Sequence, residues 1–503
     1  MSATPLPLRY RFQTKVLGFV FLMIVADVLF YDAAIGISAA LFGAFALAVL
    51  IVTHPGVLRH RGACAVLVLC VGLLGAFVWS PGLLSLSLFA LGCATLLLLP
   101  RRRVFDPWLW VRDMLGVPAS LLLQQSVDRR KINKLQSRKK TKQVYSSLLG
   151  YILFPLVFAI AFVFFFAKVN PAWESVLAYI DILALLRPGR WAFWLVAGFV
   201  IWGFLRLRLL RSRTLTTVLP FNLESWVSRT SLVLSLCLFN VMFAVQNGMD
   251  LNTFFHATEI VNYASRAQNA AYPLIFTVML AAFYVLLVFD ERQAKYHSVP
   301  AKYLTVFWIG QNILLTLTAA YRNGLYIEAF SLTALRLSAM IWMGLIAVGL
   351  VLIIGRLVLN KSNAWLVKGN LLALFSVLYI CCFVNFDRLI VEYNFAHSLE
   401  GGVEKARVFD MRYALKIGAP ALPVLKKVYE VNQSGYVLKE MRYKYVAFVD
   451  PQQGDWRAWT LSRYFLEKDL SGFADFLKEA EQKQQAKKTL LLEQKNAEKK
   501  RLK

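Results

Sequence analysis

Six polar residues between or beside long apolar runs carry side chains that could do acid–base or phosphate chemistry. Two are carboxylates suited to a general base, three are arginines suited to binding phosphate, and one is a tyrosine: Glu259, Arg266, Arg322, Tyr326, Glu328 and Arg336. Arg322 and Tyr326 are four positions apart and would share a helix face, whereas Glu328 and Arg336 would lie about 80° apart on one helix. We favour a structural role, anchoring a break between helices, over a polar pocket.

No motif for nucleotide binding, zinc proteolysis or serine hydrolysis occurs in a setting that would support it. The five histidines are scattered, and the six cysteines all lie in apolar runs without a CxxC pair. A zinc site or a disulfide framework is therefore not expected. We assign no catalytic residue, no metal ligand and no cofactor, and an enzyme is the less favoured interpretation.

The composition is typical of a membrane protein. Hydrophobic residues make up 58% of the 503 residues, and the mean hydropathy is +0.55. The net charge of +27 would suggest nucleic acid in a soluble protein. Here the lysines and arginines collect between apolar runs, as they do where cationic loops stay on the cytoplasmic side of a bilayer. We therefore expect a lipid bilayer as the partner and no nucleic acid.

Eleven apolar runs predict the fold class, an all-α polytopic membrane protein with about eleven transmembrane helices and a small helical C-terminal extramembrane region. The predicted spans are residues 16–31, 33–52, 63–79, 83–99, 145–167, 191–205, 226–245, 270–289, 303–320, 339–354 and 369–386. Residues 171–186 are too short and too charged to cross, and their helical periodicity predicts a helix lying in the membrane interface.

Three polar residues fall inside predicted spans. Asp27 interrupts the first, and a carboxylate there is expected near a membrane end or facing another helix, because exposure to lipid is costly. Gln311 and Asn312 are adjacent in the middle of the ninth. Hydrogen bonding between helices is the expected role of this pair. A substrate path is the alternative.

The basic loop at residues 101–143 carries the strongest orientation signal, with twelve Lys or Arg against three Asp. By the positive-inside rule this loop is cytoplasmic. Its charged end is expected to contact anionic lipid headgroups. A docking site for a cytoplasmic partner is the alternative. The residues concerned are Arg129, Arg130, Lys131, Arg138, Lys139 and Lys140.

The order of loops and spans predicts a cytoplasmic N-terminus and a C-terminus on the outer side. Four regions follow: four helices in residues 1–100, the basic loop at 101–143, the main bundle at 144–386, and a helical extramembrane region at 387–503 with a Lys-rich tail. In the last region, 410–428 predicts two short helices around a Gly-Ala-Pro break, and 461–502 predicts one charged helix. The polar stretch at 321–338 predicts the break between the ninth and tenth spans.

Three segments in this order resemble bacterial inner-membrane proteins of the families known as domain of unknown function 4153 and 4173. They are LYIEAFSLTALRL (325–337), VNFDRLIVEYN (384–394) and DWRAWTLSR (455–463), and IVNYASRAQNAAYPLI (260–275) is similar to a fourth. The family pattern reads Tyr-Ile-x-x-Tyr-Gly-Leu-Thr-x-x-Arg-Leu, and this chain carries Phe330 and Ser331 in place of its Tyr-Gly. The resemblance covers about residues 226–463 and implies a multi-pass bacterial membrane protein. It implies no catalytic residue or substrate.

The function expected from these observations is that of a non-enzymatic protein of the bacterial cell envelope, either transporter-like or a scaffold for envelope partners. One alternative is a membrane-embedded enzyme acting on lipid or glycan at the outer leaflet, with Glu328 or Glu259 as base. It requires Glu259, Arg266, Arg322 and Glu328 to converge in one cavity. Another is a membrane sensor that signals through the 101–143 loop. The sequence predicts no oligomeric state.

Overall fold

The computed structural model describes residues 8–101, 106–118, 187–207, 229–255, 299–404, 408–449 and 455–501. These residues form α-helices joined by short 3-10 turns and loops. The helices treated below are α1 Leu8–Phe30, α2 Ile37–Thr53, α3 Arg61–Trp79, α4 Leu83–Leu98, α5 Pro188–Leu205, α6 Arg229–Phe255, α7 Val299–Phe330, α8 Ala334–Val358, α9 Asn363–Cys381, α10 Phe386–Ala396, α11 Met411–Ile417, α12 Leu422–Asn432, α13 Gly435–Val449, α14 Leu461–Asp469 and α15 Phe473–Arg501.

Seven helices in the described ranges are long and apolar enough to cross a bilayer, which identifies a membrane protein. They are Phe12–Phe30, Arg61–Trp79, Pro188–Leu205, Thr230–Asn252, Val299–Phe330, Ala334–Val358 and Asn363–Cys381. The predicted spans at 33–52 and 83–99 correspond to the apolar helices Ile37–Thr53 and Leu83–Leu98. These helices are shorter than the roughly 20 residues a crossing needs. The predicted spans at 145–167 and 270–289, and the predicted interfacial helix at 171–186, lie outside the described residues.

The chain divides into two compact units. The first comprises Met1–Thr214 and the short segment Trp456–Ala458, and the second comprises Leu215–Asp455 and Trp459–Lys503. The predicted division into four regions stays a prediction.

In the first unit, α1 to α4 pack in sequence as antiparallel neighbours, and α5 packs against α1. Their core contains Leu22, Leu50, Leu97 and Leu205, each almost fully buried. At one end of this unit the Lys15 ammonium donates a hydrogen bond of 2.9 Å to the Leu205 carbonyl. The start of α1 and the end of α5 therefore meet, so these two helices are antiparallel.

In the second unit, α6 and α7 run parallel, and α7, α8 and α9 follow as antiparallel neighbours. The rings of Phe239 and Phe243 on α6 pack against Trp308 on α7, with centroids 5.3 and 5.8 Å apart. Leu236 and Ile309 are fully buried beside them. These apolar contacts hold the polar side chains of the same two helices in fixed positions.

The C-terminal helices α10 to α15 share a separate core within the second unit, with Leu425, Val428, Met441 and Phe473 at its centre. The two short helices expected around the Gly-Ala-Pro sequence are α11 and α12. Gly418 between them has a φ of +92°, which a residue without a Cβ adopts freely.

The prediction of one uninterrupted helix near the C-terminus was wrong. The sequence predicted a single charged helix over 461–502, but α14 ends at Asp469 and α15 begins at Phe473. Gly472 has a φ of +74°, so the chain turns through the left-handed region there.

The predicted break at 321–338 is also much shorter in the structure. Helix α7 continues through 32 residues to Phe330, and only Ser331–Thr333 separate it from α8. A helix of that length is about 48 Å long, whereas the hydrocarbon core of a bilayer is about 30 Å thick. The polar residues at the end of α7 therefore belong to the part of the helix that is longer than the apolar core, where the sequence had predicted a break. Helix α6 likewise continues past the predicted end of the seventh span at residue 245, to Phe255.

Candidate functional site

The junction between α7 and α8 turns in three residues. Ser331 has a φ of +67°, in the left-handed region that disfavours every residue with a Cβ. Thr333 then caps α8, because its hydroxyl accepts a hydrogen bond from the Arg336 backbone N–H at 3.4 Å. Ser331 stands where the pattern of the resembling families has glycine, and this backbone conformation gives a physical reason for that glycine.

Arg336 is bound to the backbone of this junction. Its guanidinium donates to the Phe330 carbonyl at 2.7 Å and to the Ser331 carbonyl, and it lies over the Phe330 ring at 5.8 Å. The last carbonyls of a helix have no partner within the helix and carry partial negative charge. The Arg336 side chain satisfies two such carbonyls. Tyr326 stacks on the same ring, with centroids 6.1 Å apart.

Asn394 of α10 closes the junction from the C-terminal region. Its amide group donates to the Leu332 carbonyl at 2.9 Å and accepts from the Leu332 N–H at 2.6 Å. The Tyr413 hydroxyl of α11 accepts from the Ala334 N–H at 2.9 Å. We call Ser331–Thr333, Arg336, Asn394 and Tyr413 the junction clamp.

Sequence reasoning did not select Asn394, although a signal was present. It follows Ile390 and Val391 by four and three positions and shares their buried face. A polar residue on the apolar face of an amphipathic helix indicates a specific hydrogen-bond partner.

The remaining members of the predicted polar cluster do not gather at the clamp. Arg322 makes a two-pronged ion pair with Asp250 of α6, with both N–O distances 3.2 Å. Glu328 is exposed. Glu259 and Arg266 lie outside the described residues. The cavity that an enzyme would need is therefore not formed by Arg322 and Glu328.

Asp27 in the first unit faces α5. Arg190 donates to its carboxylate through Nε at 2.9 Å and through a second nitrogen, and the Trp194 indole donates at 2.8 Å. The Arg190 guanidinium also lies 4.7 Å from the Tyr31 ring centroid. The carboxylate is thus neutralised and hydrogen-bonded, as an ionised group at membrane depth must be.

The DWRAW segment belongs to the first unit through Trp456–Ala458. Arg457 donates to the Val28 carbonyl at the end of α1 at 2.9 Å. The backbone of Ala458 lies so close to Gly36 that a Cβ on Gly36 would be 2.3 Å from the Ala458 carbonyl carbon. Gly36 therefore permits a backbone contact that no other residue would allow.

The side chains of Asn240, Asn247 and Gln311 make hydrogen bonds between α6 and α7. We call these three residues and Asn312, the buried neighbour of Gln311, the amide cluster. Gln311 donates to the Asn240 side-chain oxygen at 3.3 Å, and Asn247 donates to the Gln311 backbone carbonyl at 3.2 Å. Asn240 donates to the Leu304 carbonyl at 3.0 Å. Gln311 thus joins α7 to α6, and Asn312, its neighbour, is fully buried.

The predicted lipid- or partner-contacting residues of the 101–143 loop lie outside the described part of the chain. Arg129, Arg130, Lys131, Arg138, Lys139 and Lys140 all lie in the range that the structure does not describe. Within the described ranges, no group of three or more His, Cys, Asp or Glu residues could hold a metal ion.

A family model described as a domain of unknown function, DUF4153, matches residues 16–428. The match spans both units, from the first helix through most of α12. No curated protein and no solved structure matches the chain.

Proposed function

The chain belongs to the DUF4153 family, and from its geometry we propose that it is a non-enzymatic scaffold of the bacterial cell envelope. In this proposal the apolar helices anchor the chain in the inner membrane, and the C-terminal helices bind an envelope protein. The supporting observation is the junction clamp, because Asn394 fixes the C-terminal core directly to the turn between two spans.

A domain that is clamped in this way presents its surface at a fixed height and orientation. Helix α13 offers the surface best suited to a partner. Tyr436, Lys439, Tyr443 and Val446 follow one another at helical spacing and are exposed, whereas Val437, Leu438 and Met441 on the opposite side are buried in the core. Exposed aromatic residues beside a charge are typical of protein interfaces.

We infer the sidedness of the membrane protein from the positions of its charges. In the first unit, Lys15 and Arg206 lie at one end, and Arg457 contacts the opposite end of α1. In the second unit, Lys302 contacts Asn360 at the end away from the junction clamp. We propose that the end of the first unit with Lys15 and Arg206 faces the cytoplasm, and that the end of the second unit with Lys302 also faces the cytoplasm. The C-terminal helices are then periplasmic.

The contacts of the candidate arginines favour a scaffold over an enzyme. Arg336 is occupied by two backbone carbonyls and Arg322 by Asp250, so neither guanidinium is poised to bind a phosphate group. A transporter-like function is the second candidate, and the amide cluster within the apolar helices favours it. A signalling role would depend on the 101–143 loop, for which the described residues offer no support.

Sidedness is tested by labelling single cysteines with a membrane-impermeant maleimide in intact cells, on a cysteine-free background. Lys439→Cys on α13 should be labelled, and Arg59→Cys at the basic end of the first unit should be labelled only after the cells are opened. Labelling of Arg59→Cys alone in intact cells would place the C-terminal helices in the cytoplasm and contradict the periplasmic scaffold.

Partner binding is tested by placing a photo-crosslinking amino acid at Tyr443 in living cells. Tyr445 is the matched control, because it is the same residue type two positions away and packs toward Phe473 in the core. We expect one discrete protein adduct from position 443, none from 445, and loss of the adduct in Lys439→Glu. Equal adducts at both positions, or none at either, would argue against a scaffold surface on α13.

A further inference from the structure

We infer that the amide cluster is a binding site for a monovalent alkali cation within the apolar helices of the second unit. This inference goes beyond the scaffold proposal and does not depend on it. It rests on an imbalance between hydrogen-bond donors and acceptors in Asn240, Asn247, Gln311 and Asn312.

Each side-chain nitrogen of the cluster donates at least one hydrogen bond. Asn240 donates to the carbonyls of Leu236 and Leu304 at 2.8 and 3.0 Å. Asn312 donates to the Trp308 carbonyl at 2.8 Å. Asn247 and Gln311 donate within the cluster. Each of the four amides therefore uses its nitrogen to join the two helices or to bind its own helix.

In contrast to the nitrogens, three of the four side-chain oxygens of the cluster have no hydrogen-bond partner within the described part of the chain. Among the described residues, the side-chain oxygens of Asn247, Gln311 and Asn312 accept no hydrogen bond. The exposed fractions of these residues are 4%, 8% and 0%. Buried polar atoms nearly always have a partner, because leaving one without any is costly. Two such oxygens belong to residues that join α6 to α7, and the third belongs to the next residue of α7. Their lack of partners among the described residues indicates that something absent from the chain itself satisfies them.

The chemistry of the cluster selects the class of ligand. The atoms of the cluster that lack any partner in the described part of the chain are oxygens, and their partial negative charge favours a cation over an anion. The cluster contains no carboxylate, and divalent cations such as Ca²⁺ and Mg²⁺ are bound mainly through carboxylates in proteins. Neutral carbonyl oxygens are the groups that replace the hydration shell of Na⁺ or K⁺ within membrane proteins.

The surroundings agree with this choice. Phe243 packs edge-on against Trp308 beside the cluster, at a centroid distance of 5.8 Å. The packed rings give the cluster apolar surroundings, in which a cation and an amide oxygen attract each other more strongly than in water. Asp250 of α6 and Arg322 of α7 form a charged pair. Their opposite charges offset each other, so the pair neither repels nor attracts a cation strongly.

The test is thermal unfolding of the purified full-length protein in detergent, in chloride salts of Na⁺, K⁺ and N-methylglucamine at equal ionic strength. A ligand that binds only the folded state raises the melting temperature as its concentration exceeds its dissociation constant. We expect Na⁺ or K⁺ to raise the melting temperature by about 2–4 °C relative to N-methylglucamine. Binding of radioactive ²²Na⁺ or ⁸⁶Rb⁺ gives a second, direct measurement.

The variants are Asn312→Leu and Asn247→Leu, which remove an acceptor at nearly constant volume. Asn370→Leu in another span is the matched control for Asn312→Leu. Like Asn312, Asn370 donates to the carbonyl four residues earlier, at 2.9 Å. We expect the cation-dependent shift to disappear in the first two variants and to persist in the third. Asn247→Asp, which adds a negative charge and keeps the shape, should increase the shift.

Two results would overturn the inference. One is an equal melting temperature in all three salts without binding of either radioactive ion, which would mean that only water fills the cluster. The other is a cation effect that survives in Asn312→Leu, Asn247→Leu and Asn370→Leu alike, which would place the ion elsewhere. If the leucine variants do not fold, Asn247→Asp still locates the ion, because a shift no larger than that of the unmodified protein would place the ion elsewhere.

Discussion

Asn394 binds both polar groups of the Leu332 backbone with one side-chain amide, at 2.6 and 2.9 Å. The two residues are 62 positions apart, and both are buried. Asn394 thus satisfies both backbone hydrogen-bonding groups of Leu332. The turn between α7 and α8 has its backbone satisfied by a helix of the C-terminal region, so the two elements stabilise each other.

We expect Asn394→Leu to lower the free energy of unfolding by about 2–4 kcal/mol, because it leaves a buried N–H and a buried carbonyl of Leu332 without partners. It should also increase tryptic cleavage at Arg388 on the same helix. Asn496→Leu, at an exposed position on α15, is the control and should change stability by less than about 0.5 kcal/mol. Equal stability of the two variants would show that the clamp contributes little.

We expect Ser331→Gly to stabilise the protein by about 0.5–1 kcal/mol. Ser331 holds a φ of +67°, and removing its Cβ relieves the steric cost of that conformation, partly offset by the greater freedom of glycine in the unfolded chain. Gly472→Ser makes the reverse change at a φ of +74° and should destabilise. Melting temperatures of the two variants should therefore move in opposite directions, and movement in the same direction would contradict this explanation.

Apolar periodicity and turn chemistry were sufficient to predict most of the helices. The membrane class, the family and the two helices around Gly418 all followed from local patterns. Helix ends were predicted less well. The polar turns of α7 up to Phe330 were assigned to a loop, because the sequence does not show that a helix extends beyond the apolar core of the membrane.

Local sequence patterns could not predict which groups the polar residues contact. Asp27 was selected for its position in a span, but nothing near it in sequence pointed to Arg190, 163 residues away. Likewise Arg336 was considered for binding a phosphate, whereas it binds carbonyls that only a short turn brings within reach. Which group a buried charge meets is decided by tertiary packing.

We expect Asp27 and Arg190 to be strongly coupled in a double-mutant cycle with Asp27→Asn and Arg190→Gln. Their side chains are 15% and 18% exposed, and they share two hydrogen bonds. Charge-assisted bonds with this degree of burial are worth about 1.5–3 kcal/mol. The measurement is the coupling energy from unfolding of the two single variants and the double variant.

The matched comparison is the ion pair of Arg442 and Glu481, whose side chains are 61% and 32% exposed. Solvent screening should limit its coupling energy to less than about 1 kcal/mol. High salt should weaken this pair more than the pair of Asp27 with Arg190. Equal coupling energies for both pairs would mean that burial does not strengthen the interaction of Asp27.

We expect acid to weaken the C-terminal helices partly through Glu400. Burial raises the pKa of this carboxyl, but hydrogen bonds from the Phe409 N–H and the Asn432 side chain, at 2.8 and 3.1 Å, outweigh burial and hold the pKa below its usual value. Because the folded pKa is the lower one, the stabilisation is fully present above the unfolded pKa of about 4.3. It is lost as the pH falls through the folded pKa.

The measurement is the melting temperature of the full-length protein between about pH 6 and pH 3, compared with Glu400→Gln. The variant is less stable near neutral pH, because its amide is a weaker acceptor than the carboxylate, and the difference should shrink as the pH falls. Glu493→Gln, at an exposed position on α15, is the control for the substitution itself. A difference between Glu400→Gln and the unmodified protein that grows toward low pH would require the folded pKa of Glu400 to be raised, and would contradict the hydrogen-bonding explanation.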